Sequence, residues 1–119
     1  MSSGVEERDQ ILGFLDEIKQ KDLLVVVEGL KDKRALEELG IVRIFFLKKP
    51  LFAAVEEIAE HEKEVVLLTD LDVEGKKFYH RLSGDLQKHG VKINNKLREF
   101  LFKTKLSHIE GLTSYLQVQ

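Results

Sequence analysis

Three carboxylates lie directly after apolar runs, and they are the residues of this sequence best suited to chemistry. Glu28 directly follows the run 23–27. Asp70 and Asp72 follow the segment 64–69, whose apolar residues are 65–68. Short apolar runs rich in branched residues indicate buried strands, and in α/β sheets the residues just past such strands face a ligand crevice. Carboxylate oxygens are the ligands that Mg²⁺ prefers. We therefore expect Glu28, Asp70 and Asp72 to hold Mg²⁺, or Mn²⁺ in its place, for phosphate chemistry.

A glycine accompanies each acidic segment. Gly29 follows Glu28 directly, and Gly75 lies three residues after Asp72. Both are expected to act as structural turn residues, because glycine allows a sharp turn and the close approach of a ligand. Asp32 lies in the first turn of the helix expected after Gly29, where the helix dipole favours an anion.

The hydrophobic pattern predicts the elements that position these acids. Apolar residues at helical spacing, capping residues and the placement of Pro50, Gly40 and Gly90 predict helices. Continuous apolar runs too short for helices predict strands. The predicted helices cover 5–19, 30–39, 50–61, 73–89, 95–103 and a last turn capped by Ser107 through 116, and the predicted strands cover 23–27, 42–47, 64–69 and 91–93.

Strands and helices therefore alternate along the chain. This order predicts an α/β fold of three Rossmann-like layers, with a four-stranded, mostly parallel sheet and helices on both faces. The strand order 2-1-3-4 would place the first and third strands side by side, so that Glu28 faces the Asp70/Asp72 pair. We expect a single domain over 1–119, with a core of about 23–93, an N-terminal helix at 5–19 and a C-terminal helical extension over 94–119.

The net charge of −2 conceals a strong segregation of charge. Residues 1–75 contain 18 Asp or Glu and 10 Lys or Arg, whereas residues 76–105 contain nine Lys or Arg and two Asp or Glu. A basic segment next to an acidic cluster suits a polyanionic substrate held near a metal. The candidate phosphate-binding residues near the predicted strand ends are Lys31, Lys33, Lys48, Lys49, Lys76 and Arg81.

The same composition excludes several other kinds of site. The chain has no cysteine, which excludes disulfides and thiolate metal ligands. The start of the sequence has neither the basic nor the apolar region of a signal peptide, and its wholly apolar runs reach only about five residues where a membrane helix needs about 20. We therefore expect a cytoplasmic protein without a membrane association.

Other chemistry-bearing residues show no comparable pattern. The four histidines have no zinc-site spacing and are expected to be ordinary surface or core residues, and no phosphate-loop or dinucleotide glycine motif is present. Five phenylalanines lie inside apolar patterns and are expected in the core rather than stacked on bases: Phe45, Phe46, Phe52, Phe100 and Phe102. Of these, only Phe100 and Phe102, which basic residues flank, also suit stacking on bases.

The acidic motifs together resemble a known family. Glu28-Gly29-x-x-Asp32-x-x-Ala35, about 35 further residues and then Asp70-x-Asp72-x-x-Gly75 are similar to the motifs of the Toprim domain. That domain occurs in topoisomerases, bacterial-type primases, nucleases and recombination mediators. The resemblance covers roughly residues 23–93 and is greatest to the small stand-alone Toprim proteins of archaea and bacteria.

The resemblance implies a role for each acid. Glu28 matches the family's glutamate, a general acid or base or a metal ligand, and Asp32 matches a supporting acid, so that both are candidate catalytic residues. Asp70 and Asp72 match the pair that coordinates Mg²⁺. The tyrosine nucleophile of topoisomerases comes from a separate domain, and Tyr79 and Tyr115 do not match it.

Three functions remain open from the sequence. The first is a small Mg²⁺-dependent nuclease acting on the phosphodiester bonds of RNA or DNA. The second is a metal-dependent module that binds nucleic acid or a nucleotide within a replication, repair or RNA-processing complex and has little activity alone. The third is a receiver-like signalling domain, which the glycine after Glu28 and the absence of an evident fifth strand disfavour.

Overall fold

The computed structural model describes residues 4–118, and its elements follow the order that the sequence predicts. The helices are α1 (Gly4–Gln20), α2 (Leu30–Glu38), α3 (Leu51–His61), α4 (Val73–Lys88), α5 (Lys96–Leu101) and α6 (Leu112–Val118). The strands are β1 (Leu24–Val27), β2 (Ile44–Phe46), β3 (Glu64–Leu68) and β4 (Lys92–Asn94). A single 3₁₀ turn, Ile109–Gly111, precedes α6.

The four strands form one parallel sheet in the order β2-β1-β3-β4, which confirms the predicted α/β class and strand order. β1 and β3 are neighbours in full register, so that Val27 pairs with Leu68 at their carboxyl ends. Each pairing in the sheet is parallel, where the sequence predicted a mostly parallel arrangement. Because β1 and β3 end level with one another, the residues that follow them are brought together.

The core has two parts, one on each face of the sheet. Successive side chains of a strand point to opposite faces, and Val25 and Val27 of β1 pack in one cluster while Val26 packs in the other. The first cluster joins the sheet to α1, α2, α5 and α6, and the second joins it to α3 and α4. Every residue of β1 and β3 except the first of each is buried, as expected for strands covered on both sides.

The helix ends explain why the sequence predicted the boundaries well. α2 ends before Gly40, which has φ +88, and α4 ends before Gly90, which has φ +85. Glycine adopts this left-handed conformation without steric penalty and commonly ends helices. Pro50 precedes α3 directly, at a position that lacks an intrahelical partner for a backbone N–H.

Two predictions about side chains are wrong. Ser107 does not cap the last helix, because the 3₁₀ turn begins after His108 and the Ser107 hydroxyl instead lies 2.9 Å from Nδ1 of His108. Phe52 is 70% exposed and Phe102 is 38% exposed, so neither belongs to the core. Periodicity alone placed both inside, although the layers of the fold leave their positions facing outward.

The helices of the described residues include none that is both long and apolar enough to cross a membrane.

Candidate metal centre

The level ends of β1 and β3 bring Glu28 and Asp70 into direct contact. Oε2 of Glu28 accepts a hydrogen bond of 2.7 Å from the backbone N–H of Asp70. The two residues are 42 positions apart in the sequence, and the parallel register of the two strands accounts for their meeting. The predicted convergence of the first acid with the second acidic segment is therefore present.

Asp70 and Asp72 are each held by a backbone N–H on one carboxylate oxygen. Oδ1 of Asp70 accepts a bond of 2.9 Å from the N–H of Ile109. Asp72 is the residue before α4, and its Oδ1 accepts a bond of 2.8 Å from Gly75 in the first turn. This is the usual capping interaction of an aspartate. The second oxygen of each carboxylate is left for a ligand or a neighbouring side chain.

Gly75 allows the start of α4 to approach the backbone of Asp70. A Cβ atom at this position would lie 2.0 Å from the carbonyl oxygen of Asp70, a separation that no side chain can adopt. The hydroxyl of the buried Thr69 also donates a bond of 3.0 Å to the carbonyl of Gly75. The glycine therefore fixes the position of the acidic loop between β3 and α4.

The backbone at Gly29 contradicts one of the two roles expected for this glycine, the sharp turn. Its φ of −147 and ψ of 178 lie in the extended region that any residue adopts, and an added Cβ would meet no heavy atom within 4 Å. The backbone thus does not need a glycine for a sharp turn here. The open space beside it leaves close approach of a ligand as a prediction.

Asp32 lies in the first turn of α2 and is only 7% exposed. Its Oδ2 accepts a bond of 3.2 Å from the N–H of Gly29. Burial raises the pKa of Asp32 to about 6, and the negative charge of Asp70 adds to the effect. Burial likewise raises the pKa of Glu28, against the opposing effect of its bond from the Asp70 N–H. A nearby cation would stabilise the charged form of carboxylates that are crowded in this way.

Arg98 supplies a buried positive charge that sequence reasoning did not assign to the site. It is 2% exposed and donates bonds to the backbone carbonyls of Thr69 (3.3 Å) and Asp70 (3.1 Å). Its guanidinium lies 4.2 Å from the ring centre of Tyr79 and 4.9 Å from that of Phe102. Burial lowers the pKa of Arg98. Arg98 therefore holds the end of β3 in place beneath the acids.

His108 is the second residue of the site that sequence reasoning missed. Its Nε2 lies 3.2 Å from Oδ2 of Asp72. Asp70, Asp72 and His108 can each present one ligand atom such that these atoms all lie within 4.8 Å of one another. Asp72 and His108 are 36 positions apart in the sequence, and no motif spacing would have signalled this contact.

The donor set fits a divalent cation. The ligand atoms of Asp70 and Asp72 lie within 4.8 Å of one another, and Glu28 contacts the backbone of Asp70. Each of the three carboxylates accepts a bond from a backbone N–H on one oxygen, which restricts the direction of the other. Oxygen donors of this kind suit Mg²⁺ and Mn²⁺. Asp70 and Asp72 are placed to hold such an ion, and Glu28 lies directly beside Asp70.

Four of the six candidate phosphate-binding residues surround this edge of the sheet. Glu28 and Lys49 line the same open cleft of about 420 Å³, together with Glu74. Nζ of Lys33 and of Lys48 lie 5.5 and 4.7 Å from the ring centre of Phe46, at the end of β2. Lys76 follows Gly75 directly and lies over Phe102, with 5.4 Å between Nζ and the ring centre.

The other two candidates are farther from the acids in the fold. Lys31 lines a separate groove between α2 and α6, with Arg34 and Glu110. Arg81 lies in the third turn of α4 with an exposed side chain, and no contact among the described residues ties it to the acidic cleft.

Several known proteins are similar to this chain. The model of the Toprim domain family matches residues 22–95. A UPF0292 protein of Methanocaldococcus jannaschii is 30% identical over 116 residues, 91% of each chain. One of Methanosarcina barkeri is 35% identical over 118 residues, which are 94% of this chain and 82% of the relative.

A solved structure of a protein from Aquifex aeolicus has a similar fold, with a TM-score of 0.77 and 27% sequence identity. The alignment covers 86% of this chain and 94% of the other. The family match spans β1 to β4 and includes Glu28, Asp32, Asp70 and Asp72. This chain belongs to the Toprim domain family.

Proposed function

We propose that this protein is a Mg²⁺-dependent nuclease of the Toprim type, which hydrolyses phosphodiester bonds in RNA or DNA. The observation that carries the proposal is the contact of Glu28 with Asp70, two residues before Asp72, at the level ends of two parallel strands. Membership of the Toprim family supports divalent-metal binding and work on nucleic acids in general. Hydrolysis of the phosphodiester bond is more specific than these general properties, and the cleavage assay below tests it.

The metal-binding role falls to Asp70 and Asp72, with Glu28 at their side. A bound Mg²⁺ would supply positive charge to the phosphoryl oxygens as negative charge develops on them. The backbone bonds from Ile109 and Gly75 keep the two aspartates oriented before substrate arrives. Such preorganisation avoids the cost of ordering the ligands during the reaction.

Glu28 is the residue proposed to transfer a proton. Hydrolysis forms a bond from a water oxygen to phosphorus and breaks the ester bond to a sugar oxygen, so that one proton leaves the water and one reaches the leaving oxygen. The raised pKa of Glu28 makes its carboxylate a stronger base than an ordinary glutamate. Asp32 supports it by accepting a bond from the N–H of Gly29, the residue next to Glu28.

The flanking cations are proposed to hold the substrate backbone. Lys33, Lys48 and Lys49 lie on the β2 side of the acids and Lys76 on the α4 side. A strand of nucleic acid crossing the edge of the sheet would meet cations before and after the acids. Phosphate contacts of this kind position a polymer without reading its sequence. Phosphate contacts by Lys31 and Arg81 stay predictions. A protein partner and a cytoplasmic location also stay predictions.

The test is cleavage of labelled single-stranded and structured RNA and DNA by the purified protein, with Mg²⁺, with Mn²⁺ and with chelator. We expect cleavage that needs the metal and is abolished in Asp70→Asn. The matched control is Asp9→Asn, a change at an exposed residue of α1 that should leave the rate unchanged. Metal-dependent binding without turnover on every substrate would contradict the nuclease and favour the binding module that the sequence left open.

A further inference from the structure

We propose that His108 is a third metal ligand beside Asp70 and Asp72, and that it makes the site prefer a first-row transition ion such as Mn²⁺ over Mg²⁺. This inference rests on the metal site of the proposed function. It adds a nitrogen donor from the C-terminal extension, since His108 lies outside the residues 22–95 that the Toprim model matches.

The backbone around His108 is held against the acidic loop. The N–H of Leu71 donates a bond of 2.9 Å to the carbonyl of Ser107, and the N–H of Ile109 donates one of 2.9 Å to Oδ1 of Asp70. The side chain of Ile109 is fully buried in the core cluster that contains α1 and α6. His108 therefore lies between two residues that are anchored to the acidic loop, and its backbone position is fixed.

The imidazole ring is oriented by a contact at each nitrogen. Nδ1 lies 2.9 Å from the hydroxyl of Ser107, and Nε2 lies 3.2 Å from Oδ2 of Asp72. Histidines that bind metals commonly donate from one ring nitrogen to an oxygen, which fixes the ring and leaves the other nitrogen for the metal. In His108 the hydroxyl of Ser107 lies beside Nδ1. The carboxylates lie on the side of Nε2, the nitrogen left for the metal.

The combination of donors bears on which ion binds. Mg²⁺ takes oxygen ligands almost exclusively and keeps several of its waters. An imidazole nitrogen suits transition ions, and affinity for nitrogen and oxygen sites rises along the first row from Mn²⁺. Two carboxylates with one imidazole therefore favour Mn²⁺ relative to Mg²⁺ more than carboxylates alone would.

The test compares the affinities of Mn²⁺ and Mg²⁺ in the wild type and in His108→Ala. Binding of Mn²⁺ is followed by the resonance signal of the free ion, and binding of Mg²⁺ by its competition with Mn²⁺. We expect the variant to lose about tenfold or more of its Mn²⁺ affinity while its Mg²⁺ affinity stays within about twofold. His61→Ala is the matched control, because His61 is an exposed histidine at the end of α3, at the opposite edge of the sheet.

The ratio of the Mn²⁺ and Mg²⁺ affinities distinguishes the loss of a metal ligand from a loss of folding. A variant whose fold is only partly disrupted should lose affinity for both ions together and keep the ratio of the two affinities. That result would overturn the proposal. Wild-type affinities for both ions in the variant would overturn it as well. Imidazole nitrogen NMR of the wild type gives a second measurement, since added Zn²⁺ should shift Nε2 of His108 and leave His61 unchanged. An unshifted Nε2 in Zn²⁺-saturated protein would also overturn it.

The failure of this proposal is distinguishable from failure of the proposed function. Mn²⁺ and Mg²⁺ bound with an unchanged ratio in His108→Ala would remove only the role of His108. A wild type that binds neither ion would remove the metal site as a whole, and with it both proposals.

Discussion

At the scale of single residues, the acidic cluster is organised by backbone N–H groups. Glu28, Asp70, Asp72 and Asp32 each accept one such bond, with donors 2.7 to 3.2 Å away. These bonds fix the orientation of carboxylates whose mutual repulsion and burial would otherwise disfavour the arrangement. The raised pKa values of Glu28 and Asp32 are the sign of that cost in the metal-free protein.

Asp32→Asn should stabilise the metal-free protein at neutral pH. With its pKa raised to about 6, Asp32 binds its proton more tightly in the folded chain than in the unfolded one. The folded state therefore loses stability as pH rises from about 4 to about 6, and the asparagine variant avoids that loss. We expect a gain of about 1–3 kcal/mol at pH 7.5 and almost none near pH 4, measured by urea unfolding in chelator.

The matched control for this change is Asp9→Asn, which removes an exposed carboxylate from α1. It should show no comparable gain at either pH. A gain in Asp32→Asn that is equal at pH 4 and pH 7.5 would contradict the assigned cause.

Glu28→Gln should separate proton transfer from folding. The amide oxygen of glutamine can still accept the bond from the N–H of Asp70, but it cannot take up a proton. Loss of a general acid or base typically lowers a rate by about 10²–10⁴-fold. We expect that fall in cleavage rate at saturating Mg²⁺, with a melting temperature at or above that of the wild type.

Glu56→Gln, an exposed position on α3, serves as the control for the loss of a glutamate charge. Cleavage by Glu28→Gln at the wild-type rate would exclude Glu28 as the proton-transfer residue.

At the scale of the elements, the start of α4 determines the position of Asp70. Gly75→Ala should disturb this start, because the new Cβ would lie 2.0 Å from the Asp70 carbonyl oxygen. Overpacking of this kind costs about 1–3 kcal/mol or more, and the helix would have to move away from the acidic loop. We expect a loss of stability in urea unfolding and weaker Mn²⁺ binding.

The same helix offers a matched control. Gly84→Ala places a Cβ where nothing lies within 4 Å, and alanine is favoured over glycine inside a helix by about 0.5–1 kcal/mol. It should therefore stabilise the protein and leave metal binding intact. Equal effects of the two substitutions would refute the close approach at Gly75.

The sequence predicts local elements well and distant contacts poorly. Apolar runs of β1 and β3 and the glycines after α2 and α4 are local signals, and they located the strand ends that carry Glu28 and Asp70. The docking of residues 107–109 on the acidic loop depends on tertiary packing of Ile109. The hydrophobic pattern of the sequence does not indicate that packing, so the sequence predicts an ordinary histidine at His108. Arg98 was missed for the same reason.

At the scale of the whole molecule, charge is segregated along the chain, and the fold brings some of the cations back to the acids. Lys48 and Lys49 precede the basic segment 76–105 in sequence. Lys49 lines the cleft that contains Glu28, and Lys48 lies over Phe46 at the end of β2, whereas Lys76 belongs to the first turn of α4. A polyanion can then be held at both sides of the acidic centre. This arrangement predicts binding that weakens steeply with salt.

Replacing Lys48 and Lys49 together by alanine should weaken binding to all nucleic acid sequences alike. Each lost phosphate contact should reduce the slope of log affinity against log salt by about one. Fluorescence anisotropy over a salt series measures the slope. Lys63→Ala, an exposed change at the opposite edge of the sheet, should leave the slope unchanged, and an unchanged slope in the double variant would exclude these two lysines from the interface.

The central claim is that the level ends of β1 and β3 form a divalent-cation site. The most direct measurement is an anomalous scattering map from crystals soaked in Mn²⁺ at a saturating concentration. The predicted result is a peak within coordination distance of carboxylate oxygens of Asp70 and Asp72, with Glu28 beside it. Mn²⁺ peaks only elsewhere on the molecule, with none at these carboxylates, would contradict the claim.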